Sequence, residues 1–432
     1  MEILNWSQLT DTEQTAALAR SPLVGDASLE QNVLNIVNRV QQDKDQALKA
    51  YNLKFDGVST ERLQLSVDEI NAACERVDVE IKKAIEQASS NIDTFHKAQA
   101  FVPVSVETQN GIRCELRSEA IEKVGLYIPG GSAPLISTVL MLALPAQIAG
   151  CKQRVLVSPP PINDAIIYAA KACGISEIFQ VGGAQAIAAL AFGTESIPAV
   201  DKIFGPGNRY VTEAKRLVSQ DSRCVVSIDM PAGPSEVLVI ADSDATPDFI
   251  AADLLSQAEH GPDSQVMLVT DSQALAERVN ACLTQQLAQL SRKDIAATAL
   301  SASRTLLVTS MDEAAAVSNR YGPEHLIIQT QAPRELLSSI RAAGSVFLGA
   351  YTPESVGDYA SGTNHVLPTY GYSRAVSSLS LADFSRRFTV QELSAEGLQG
   401  LGQTVMTLAA AELLDAHKNA VAIRLASLEA KG

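Results

Sequence analysis

Cysteine is scarce and scattered in this sequence. Its six cysteines are spread over 432 residues, and no two of them form a CxxC pair. A disulfide framework and a cysteine-based zinc site are therefore excluded, and we expect reduced thiols in a cytoplasmic protein. The cysteines are Cys74, Cys114, Cys151, Cys173, Cys224 and Cys282.

Basic residues are also fewer than acidic residues. The 34 Lys and Arg residues are outnumbered by 49 Asp and Glu residues, which gives a net charge of −15. A chain of this charge creates no positive field to recruit phosphates, so nucleic acid and anionic membrane surfaces are not expected partners. An anionic cofactor is still possible, because it needs only a local set of hydrogen-bond donors.

The sequence lacks a convincing membrane or targeting segment. Its N-terminus, MEILNWSQLTDTEQ, has neither the basic nor the apolar region of a signal peptide. The uncharged run from Ala133 to Gly150 contains Pro134, Pro145 and Gln147 and is barely long enough to span a bilayer. We therefore predict that this run forms a buried helix, and we expect no membrane partner.

The GxGxxG fingerprint of dinucleotide-binding proteins is absent as well. Three glycine-containing segments instead follow predicted strands: Tyr127–Ser132, Val181–Gln185 and Phe204–Asn208. Backbone amides at strand-to-helix junctions can hold phosphates, although a single glycine at a strand end is usually only a turn. Together the three segments suggest an atypical nucleotide site.

What the sequence does contain is a strand–helix alternation. The chain is too long for one hydrophobic core, so two or more domains are expected. From about Gly125, short apolar strands alternate with alanine-rich helical stretches, and this pattern predicts parallel sheets covered by helices. The predicted strands are Gly125–Ile128, Val155–Ser158, Glu177–Val181, Lys202–Phe204, Val237–Ile240 and Val266–Thr270, with a helix from Asp248.

Local signals predict several other elements. The first hundred residues have a helical pattern, and Ser66 and Glu69 have the spacing of a capping box. Asn110-Gly111 separates two alternating runs and predicts a tight β-hairpin. The stretch from Leu401 to Glu429 is predicted to be a single amphipathic helix that docks on its own chain or on a partner subunit.

A faint internal repeat is visible. Residues 144–157 and 255–269 both run from a helix through a glutamine and a glycine into an apolar strand. Two related α/β units would explain the similarity. Any two helix-to-strand junctions can also look this alike, so both explanations stay open.

Histidine is rare, and its placement is informative. Four of the five histidines lie in polar islands, beside a carboxylate, an amide or glycines. Gln257 and His260 are three residues apart at a predicted helix end, Asp358 lies in a predicted glycine-flanked loop, and His417 lies on the polar side of the last helix. Two imidazoles and two oxygens suit Zn²⁺ or a similar ion. Each of the four residues taken alone also has an ordinary structural explanation.

Glu324 and His325 form a candidate acid/base pair. They follow Gly322-Pro323 and precede a predicted apolar strand. Histidine titrates near neutral pH and suits proton abstraction from an alcohol, while a neighbouring carboxylate could orient it or activate water. The alternative is a half-exposed pair that caps the strand.

Long motifs in order along most of the chain resemble those of the histidinol dehydrogenase family. They are YIPGG, VGGAQAIAALAFGT, GPGN, MPAGPSE, LLSQAEHGPDSQ, YGPEHL, GDYASGTNH and AAAELLDAHKNA. The resemblance implies oxidation of L-histidinol through L-histidinal to L-histidine, the last two steps of histidine biosynthesis, with two NAD⁺ and one Zn²⁺ per subunit.

The resemblance also implies a role for individual residues. His325 would be the base in both oxidations, and Glu324 would activate the water that attacks the aldehyde. The implied zinc ligands are Gln257, His260, Asp358 and His417. The other implied substrate contacts are Ser235, His365 and Glu412, with Glu412 and His325 near the carboxyl end. The implied cofactor contacts are Tyr127, Gln185 and Asn208.

The implied fold is α/β, with two related, incomplete Rossmann-like domains that have parallel-sheet cores. Helical N-terminal and C-terminal segments complete an intertwined homodimer, in which the C-terminal segment reaches the partner's active site. The implied boundaries are 1–22 for an N-terminal arm, 23–128 with 236–380 for the first core domain, 129–235 for an NAD-binding domain, and 381–432 for the tail.

Two other functions would fit parts of this pattern. In a zinc hydrolase, Glu324 and the metal would activate water without a redox cofactor. A non-catalytic binding module would keep the fold and the metal without turnover. Absence of NAD⁺ binding would favour the first alternative, and metal binding without turnover would favour the second.

Overall fold

The computed structural model describes residues 1–20, 27–130, 134–230 and 233–430. Its strands are, in chain order, β1 (Glu2–Asn5), β2 (Val104–Gln109), β3 (Ile112–Ala120), β4 (Lys123–Tyr127), β5 (Gln153–Ser158), β6 (Glu177–Gln180), β7 (Lys202–Phe204), β8 (Ser227–Ile228), β9 (Glu236–Ala241), β10 (Gln265–Thr270), β11 (Arg304–Leu307), β12 (His325–Gln329), β13 (Ser345–Leu348) and β14 (Ser385–Leu393).

The α-helices are α1 (Asp11–Ala17), α2 (Ala27–Tyr51), α3 (Val67–Arg76), α4 (Val79–Lys97), α5 (Ile136–Ala149), α6 (Asp164–Ala172), α7 (Gly183–Phe192), α8 (Arg209–Ser219), α9 (Pro247–Ala258), α10 (Gln273–Leu287), α11 (Lys293–Ser301), α12 (Met311–Tyr321), α13 (Pro333–Leu337), α14 (Glu354–Tyr359), α15 (Ala395–Ala411) and α16 (Asp415–Glu429).

Six parallel strands form one sheet, in the order β1-β11-β10-β9-β12-β13. Alternate residues of each strand face opposite sides of the sheet, so each side needs its own helical cover. Val237 and Val239 pack with α9, α10 and α11, whereas Leu238 and Ile240 pack with α12 on the other side. Burial on both sides explains why β9 is apolar throughout its centre.

Five parallel strands form a second sheet, in the order β6-β5-β4-β7-β8. Leu126 and Leu156 lie in a core with α5 and α6, whereas Tyr127 and Val157 lie in a core with α2, α7 and α8. The predicted architecture of parallel sheets covered by helices is therefore confirmed. The domain boundaries given above stay a prediction.

The uncharged run that begins at Ala133 contributes a buried helix, as predicted. Ala133 itself lies outside the described residues, and α5 is buried from Ser137 to Ala146. Within the described parts of the chain, every helix is too short or too polar to span a bilayer.

The predicted capping box and hairpin are confirmed. Ser66 Oγ accepts a hydrogen bond from the Glu69 amide at 3.2 Å, and the Ser66 amide donates to the Glu69 carboxylate at 2.7 Å. Strands β2 and β3 pair antiparallel around Asn110-Gly111, where Gly111 has a φ of 75°. Strand β14 pairs antiparallel with β3 and completes a three-stranded sheet.

The chain divides into two compact units. One contains residues 1–99 and 121–384 and therefore both parallel sheets. The other contains residues 100–120 and 385–432, which form the three-stranded sheet, α15 and α16.

One prediction about the termini is wrong, and another holds with one exception. The single helix predicted from Leu401 to Glu429 is a pair, because α15 ends at Ala411 and Leu413 adopts a left-handed φ of 59° before α16 begins. The two helices pack closely at Gly402, where a Cβ atom would lie 2.8 Å from the Leu425 side chain. The helical first hundred residues also include a strand, β1, which pairs with β11.

Candidate active site

The candidate acid/base pair lies where β9 and β12 begin. His325 is the first residue of β12, and its register partner on β9 is Val237, which follows Glu236. In open parallel sheets, ligands usually bind at the carboxyl ends of the strands. Here the buried polar residues are at the amino ends, where α9 and α12 also finish.

The backbone of Glu236 contacts both members of the pair. Its amide donates a hydrogen bond to Glu324 Oε2 at 2.8 Å. Its carbonyl oxygen lies 3.0 Å from Nδ1 of His325. Glu324 Oε2 is itself 3.7 Å from His325 Nδ1, so one residue of β9 holds an acid and an imidazole side by side.

Both side chains are buried, and burial changes their acidity. Burial raises the pKa of Glu324 to about 8. Burial also disfavours the charged form of His325, but Glu324 and Asp358 outweigh that effect and raise the pKa of His325 to about 10. The pair can therefore hold and exchange a proton in an enclosed setting.

Gln257 contacts the same imidazole from α9. Its Nε2 lies 2.8 Å from His325 Nδ1 and donates to the Glu236 carbonyl at 3.3 Å. Its Oε1 is buried and has no hydrogen-bond partner among the described residues. An unpaired buried amide oxygen costs free energy, so this atom is a candidate ligand for a cation.

Asp358 reaches His325 from the other side. Its Oδ1 lies 3.3 Å from His325 Nε2. The prediction that Asp358 lies in a loop is wrong, because it belongs to the short helix α14. Gly357 allows that helix to pack closely, since a Cβ atom there would lie 2.6 Å from the Phe347 ring.

The other predicted residues of the first unit gather around Asp358. Burial favours the neutral carboxyl group, but His325, His365 and His260 lower the pKa of Asp358 below its usual value. His365 Nδ1 lies 2.9 Å from the Asp358 carbonyl oxygen. Ser235 Oγ lies 3.4 Å from His260 Nδ1, so Ser235 is also part of this group.

His417 and Glu412 lie in the second compact unit. His417 is in the first turn of α16, Glu412 follows the last residue of α15, and both side chains are exposed. Across the described ranges, no group of three or more His, Cys, Asp or Glu side chains is arranged to hold a metal ion. Of the three predicted ligands in the first unit, His260 and Asp358 are of these types and Gln257 is not.

The donor set in the first unit nevertheless suits a metal. It offers one imidazole, one carboxylate and the unpaired amide oxygen of Gln257. Such mixed nitrogen and oxygen sets bind Zn²⁺ and similar ions, and a further ligand would be needed for a closed tetrahedral site.

The predicted cofactor residues lie at the carboxyl ends of the five-stranded sheet. Tyr127 ends β4, and its hydroxyl accepts a hydrogen bond from the Gly183 amide at 3.2 Å, beside Gln185 in the first turn of α7. Burial raises the pKa of Tyr127 to about 12, so this phenol stays protonated at neutral pH.

Asn208 caps α8, directly after β7. Its Oδ1 accepts from the amides of Tyr210 and Val211 at 3.0 and 3.2 Å. Gly205 brings this segment close to β4, since a Cβ atom there would lie 2.1 Å from the Tyr127 carbonyl oxygen. Two of the three glycine segments are thus strand-to-helix junctions, and the third ends at residues 131 and 132, which lie outside the described residues.

Three polar residues at the site were not predicted from the sequence. Glu236 holds the acid/base pair, Arg20 binds the Glu236 side chain, and Glu354 is buried in α14. Glu354 Oε1 accepts a hydrogen bond from Ser256 Oγ at 2.6 Å. The sequence offered one signal for Glu236, which is that a charged residue directly precedes an apolar strand in Ser235-Glu236-Val237.

Comparison with known proteins gives consistent matches over nearly the whole chain. The family model described as histidinol dehydrogenase matches residues 20–425. Histidinol dehydrogenase from Shewanella oneidensis is 75% identical over 437 residues, covering 99% of this chain and 100% of that protein. Histidinol dehydrogenase from Escherichia coli K12 is 58% identical over 427 residues, covering 99% of this chain and 98% of that protein.

A solved structure gives the same match. The crystal structure of histidinol dehydrogenase from Elizabethkingia anophelis superposes with a TM-score of 0.96 at 46% sequence identity. The alignment covers 99% of each chain. The fold predicted from the sequence therefore agrees with an experimentally solved relative.

Proposed function

Because the chain belongs to the histidinol dehydrogenase family, we propose that it oxidises L-histidinol through L-histidinal to L-histidine with two NAD⁺. The observation that carries this proposal is the group formed by buried Glu324, His325 and Gln257 with half-buried Asp358. It places a proton acceptor, a second carboxyl group and candidate metal ligands within one enclosed site.

His325 would act as the base in both oxidations. To act as a base, His325 must first give up the proton that its raised pKa favours. Nδ1 is in contact with the Glu236 carbonyl at 3.0 Å and the Gln257 amide at 2.8 Å, which leaves Nε2 as the atom that accepts the substrate's hydroxyl proton. Asp358, 3.3 Å from Nε2, would stabilise the imidazolium that results. Loss of the proton to His325 and loss of a hydride from the carbinol carbon together convert the alcohol to the aldehyde.

Glu324 would activate water in the second half of the reaction. Its carboxylate would take a proton from water as the oxygen attacks the aldehyde carbon, while the imidazolium of His325 returns its proton to the aldehyde oxygen, so that a hydrated aldehyde forms. His325 would then accept the proton of one hydroxyl as the second hydride leaves, and the carboxylic acid forms. Enclosure of the site would retain the aldehyde between the two steps.

Gln257, His260, Asp358 and His417 would hold one Zn²⁺ per subunit. The unpaired Oε1 of Gln257 supports this assignment, because a cation would satisfy it. Bound zinc would orient the substrate by coordinating its amino and imidazole nitrogens. Ser235, His365 and Glu412 would contact the substrate, with Glu412 and His325 near its oxidised end.

Tyr127, Gln185 and Asn208 would bind NAD⁺, which would accept one hydride in each oxidation. Their positions at the carboxyl ends of β4, β6 and β7 support this role, since helix N-termini there favour phosphate groups. The phenol of Tyr127 would remain a neutral hydrogen-bond donor.

Two subunits would share each active site. His417 and Glu412 are exposed on the second compact unit, so they are available to complete a site on another chain. In such a homodimer a lone subunit would lack one zinc ligand and one substrate contact.

The test is the stoichiometry of NADH formation. Purified enzyme with L-histidinol and excess NAD⁺ should form two NADH per histidinol consumed, and activity should disappear with a chelator and return with Zn²⁺. Water activation by a metal-bound enzyme without any NADH would instead identify a zinc hydrolase. Metal binding without turnover of any kind would identify a binding module.

A further inference from the structure

Arg20 is a nearly enclosed cation close to the acid/base pair. Its side chain is 13% exposed, and its carboxylate partner Glu236 is 2% exposed. Its Nη2 donates to Glu236 Oε2 at 2.9 Å, and its Nε donates to Glu236 Oε1. The guanidinium also stacks on the ring of Tyr321, with 3.8 Å between its central carbon and the ring centroid.

Arg20 also binds the backbone that leads into the pair. Its Nη2 donates to the carbonyl oxygens of Tyr321 and Gly322 at 3.0 and 3.2 Å. Those two residues end α12 and immediately precede the Pro323-Glu324 segment. One guanidinium therefore joins the start of β9 to the turn that carries Glu324.

The Glu236 carboxylate has a further partner. Its Oε1 accepts a hydrogen bond from the Tyr370 amide at 2.9 Å, so the carboxylate is held from two sides. With its side chain fixed in this way, the Glu236 backbone is fixed too, and it is this backbone that contacts Glu324 and His325. The Arg20 contacts named here lie either on Glu236 or on Tyr321 and Gly322, which are three and two residues before Glu324.

We propose that Arg20 is a positioning residue that sets the relative placement of Glu324 and His325. The inference rests on the proposed roles of those two residues. A buried ion pair adds little net stability when its desolvation is counted, so orientation is the better explanation for this one. Arginine suits the task because its planar fork binds a carboxylate through two parallel hydrogen bonds and still reaches the two carbonyls.

The test compares Arg20→Ala and Arg20→Lys with the intact enzyme in both half-reactions. Misplacement of catalytic groups by about 1 Å can cost on the order of 100-fold in rate, and we expect Arg20→Ala to lose kcat on that scale. KM for NAD⁺ should stay unchanged, because Arg20 contacts none of the proposed cofactor residues. Lysine cannot bind the Glu236 carboxylate through two parallel hydrogen bonds, so Arg20→Lys should keep only part of the kcat of the intact enzyme.

Chemical rescue separates positioning from folding. Millimolar guanidinium chloride should restore part of the kcat of Arg20→Ala, whereas ammonium chloride at the same ionic strength should not. Arg320→Ala is the matched control. Arg320 binds the neighbouring N-terminal residues Gln14 and Thr15 at 2.8 and 2.7 Å but does not contact Glu236, so its loss should leave kcat intact.

Each remaining outcome overturns the inference. Full activity of Arg20→Ala would do so. So would a loss of activity that matches the loss of folded protein and that neither guanidinium nor the lysine variant repairs. If the unmodified enzyme forms no NADH from L-histidinol, the proposed function fails first, and that result is distinct from an active enzyme that is indifferent to Arg20.

Discussion

Nε2 of Gln257 lies 2.8 Å from Nδ1 of His325, so the proposed zinc ligand and the proposed base are in direct contact. The same amide leaves its Oε1 buried without a partner among the described residues. Under the proposed roles, metal binding and proton transfer would be coupled through one side chain, and a change at Gln257 should affect both.

Gln257→Leu should separate metal affinity from stability. The substitution removes the proposed ligand oxygen, and we expect zinc affinity to fall by at least the roughly 10- to 100-fold that is typical when a residue supporting a metal ligand is altered. Removing an unpaired buried oxygen recovers about 1–3 kcal/mol, which offsets the lost Nε2 hydrogen bonds. The metal-free variant should therefore melt close to the metal-free parent.

Zinc affinity would be measured by competition with a chromophoric chelator, and melting by circular dichroism. Gln273→Leu is a suitable control, because Gln273 is an exposed amide on α10 that donates to Glu277 at 2.8 Å. Unchanged zinc affinity in Gln257→Leu would remove Gln257 from the ligand set.

Substitutions in the acid/base pair should affect the two oxidations differently. We expect His325→Ala to lose both steps by about 10²- to 10⁴-fold, the usual contribution of a general base. Glu324→Gln keeps an acceptor for the Glu236 amide, so it should oxidise L-histidinol better than it oxidises L-histidinal. Single-turnover NADH formation from each substrate would measure this, and equal losses in both steps would contradict the division of roles.

The sequence predicted what depends on neighbouring residues. The turn at Asn110-Gly111, the capping box at Ser66 and the strand–helix alternation all arise from residues within one or two turns of each other. Glu324 and His325 were recognisable for the same reason, since they are adjacent in the chain.

Features that depend on distant pairing were missed. Strand β1 is half exposed and pairs with β11, some 300 residues away, so no local apolar pattern marks it. Glu236 and Arg20 meet across 216 residues, and nothing near either one identifies the other. The break at Leu413 was missed because the apolar spacing continues through it, and only packing of α15 on α16 decides the turn.

Mixed subunits should test the shared active site. Neither His325→Ala nor His417→Ala should be active alone. In a mixed dimer one composite site would carry both lesions, whereas the other would combine the intact core of the His417→Ala chain with the intact tail of the His325→Ala chain.

We therefore expect activity to reappear when the two variants are mixed under conditions that exchange subunits. At most one site in each mixed dimer would be restored. A His325→Ala, His417→Ala double variant mixed with His325→Ala should stay inactive and serves as the control. Absence of recovery despite confirmed exchange would indicate sites built within one chain.

The buried pair of Lys215 and Asp229 should support cofactor binding. Lys215 donates to the Gly205 carbonyl at 3.0 Å and to Asp229, whose other oxygen accepts from the Gly205 amide at 2.8 Å. Both backbone groups of Gly205 are thus fixed, three residues before Asn208. Lys215→Met should weaken NAD⁺ binding about tenfold, equivalent to about 1.4 kcal/mol.

Stability distinguishes this role from general packing. Lys215→Met leaves a buried carboxylate without its cation, which typically costs about 3–5 kcal/mol of unfolding free energy. Adding Asp229→Leu removes that charge, so the double variant should regain stability in urea titrations but still bind NAD⁺ weakly in fluorescence titrations. Recovery of both properties together would rule out a specific effect on the Gly205 segment.

Asp253 should make the folded state less stable as the pH rises. This carboxyl group lies in α9 with 7% exposure, and burial raises its pKa to about 7. In the unfolded chain an Asp has a pKa of about 3.9. Between these values the unfolded state releases the proton and the folded state keeps it, so the unfolding free energy falls with pH through this window and levels off above about 7.

Asp253→Asn cannot ionise and should lack this loss. The variant should gain stability over its parent as pH rises from 5 to 7, by an amount on the order of 1.4 kcal/mol per pH unit. Burial raises the pKa of Glu354 to about 8 and the Asp253 charge adds to that rise, so the comparison is made below about pH 7, where Glu354 keeps its proton in both folded proteins. Urea unfolding at each pH would measure the gain, with exposed Asp248→Asn on the same helix as the control. A parent and variant with parallel pH profiles would show that Asp253 ionises as easily in the folded state as in the unfolded chain.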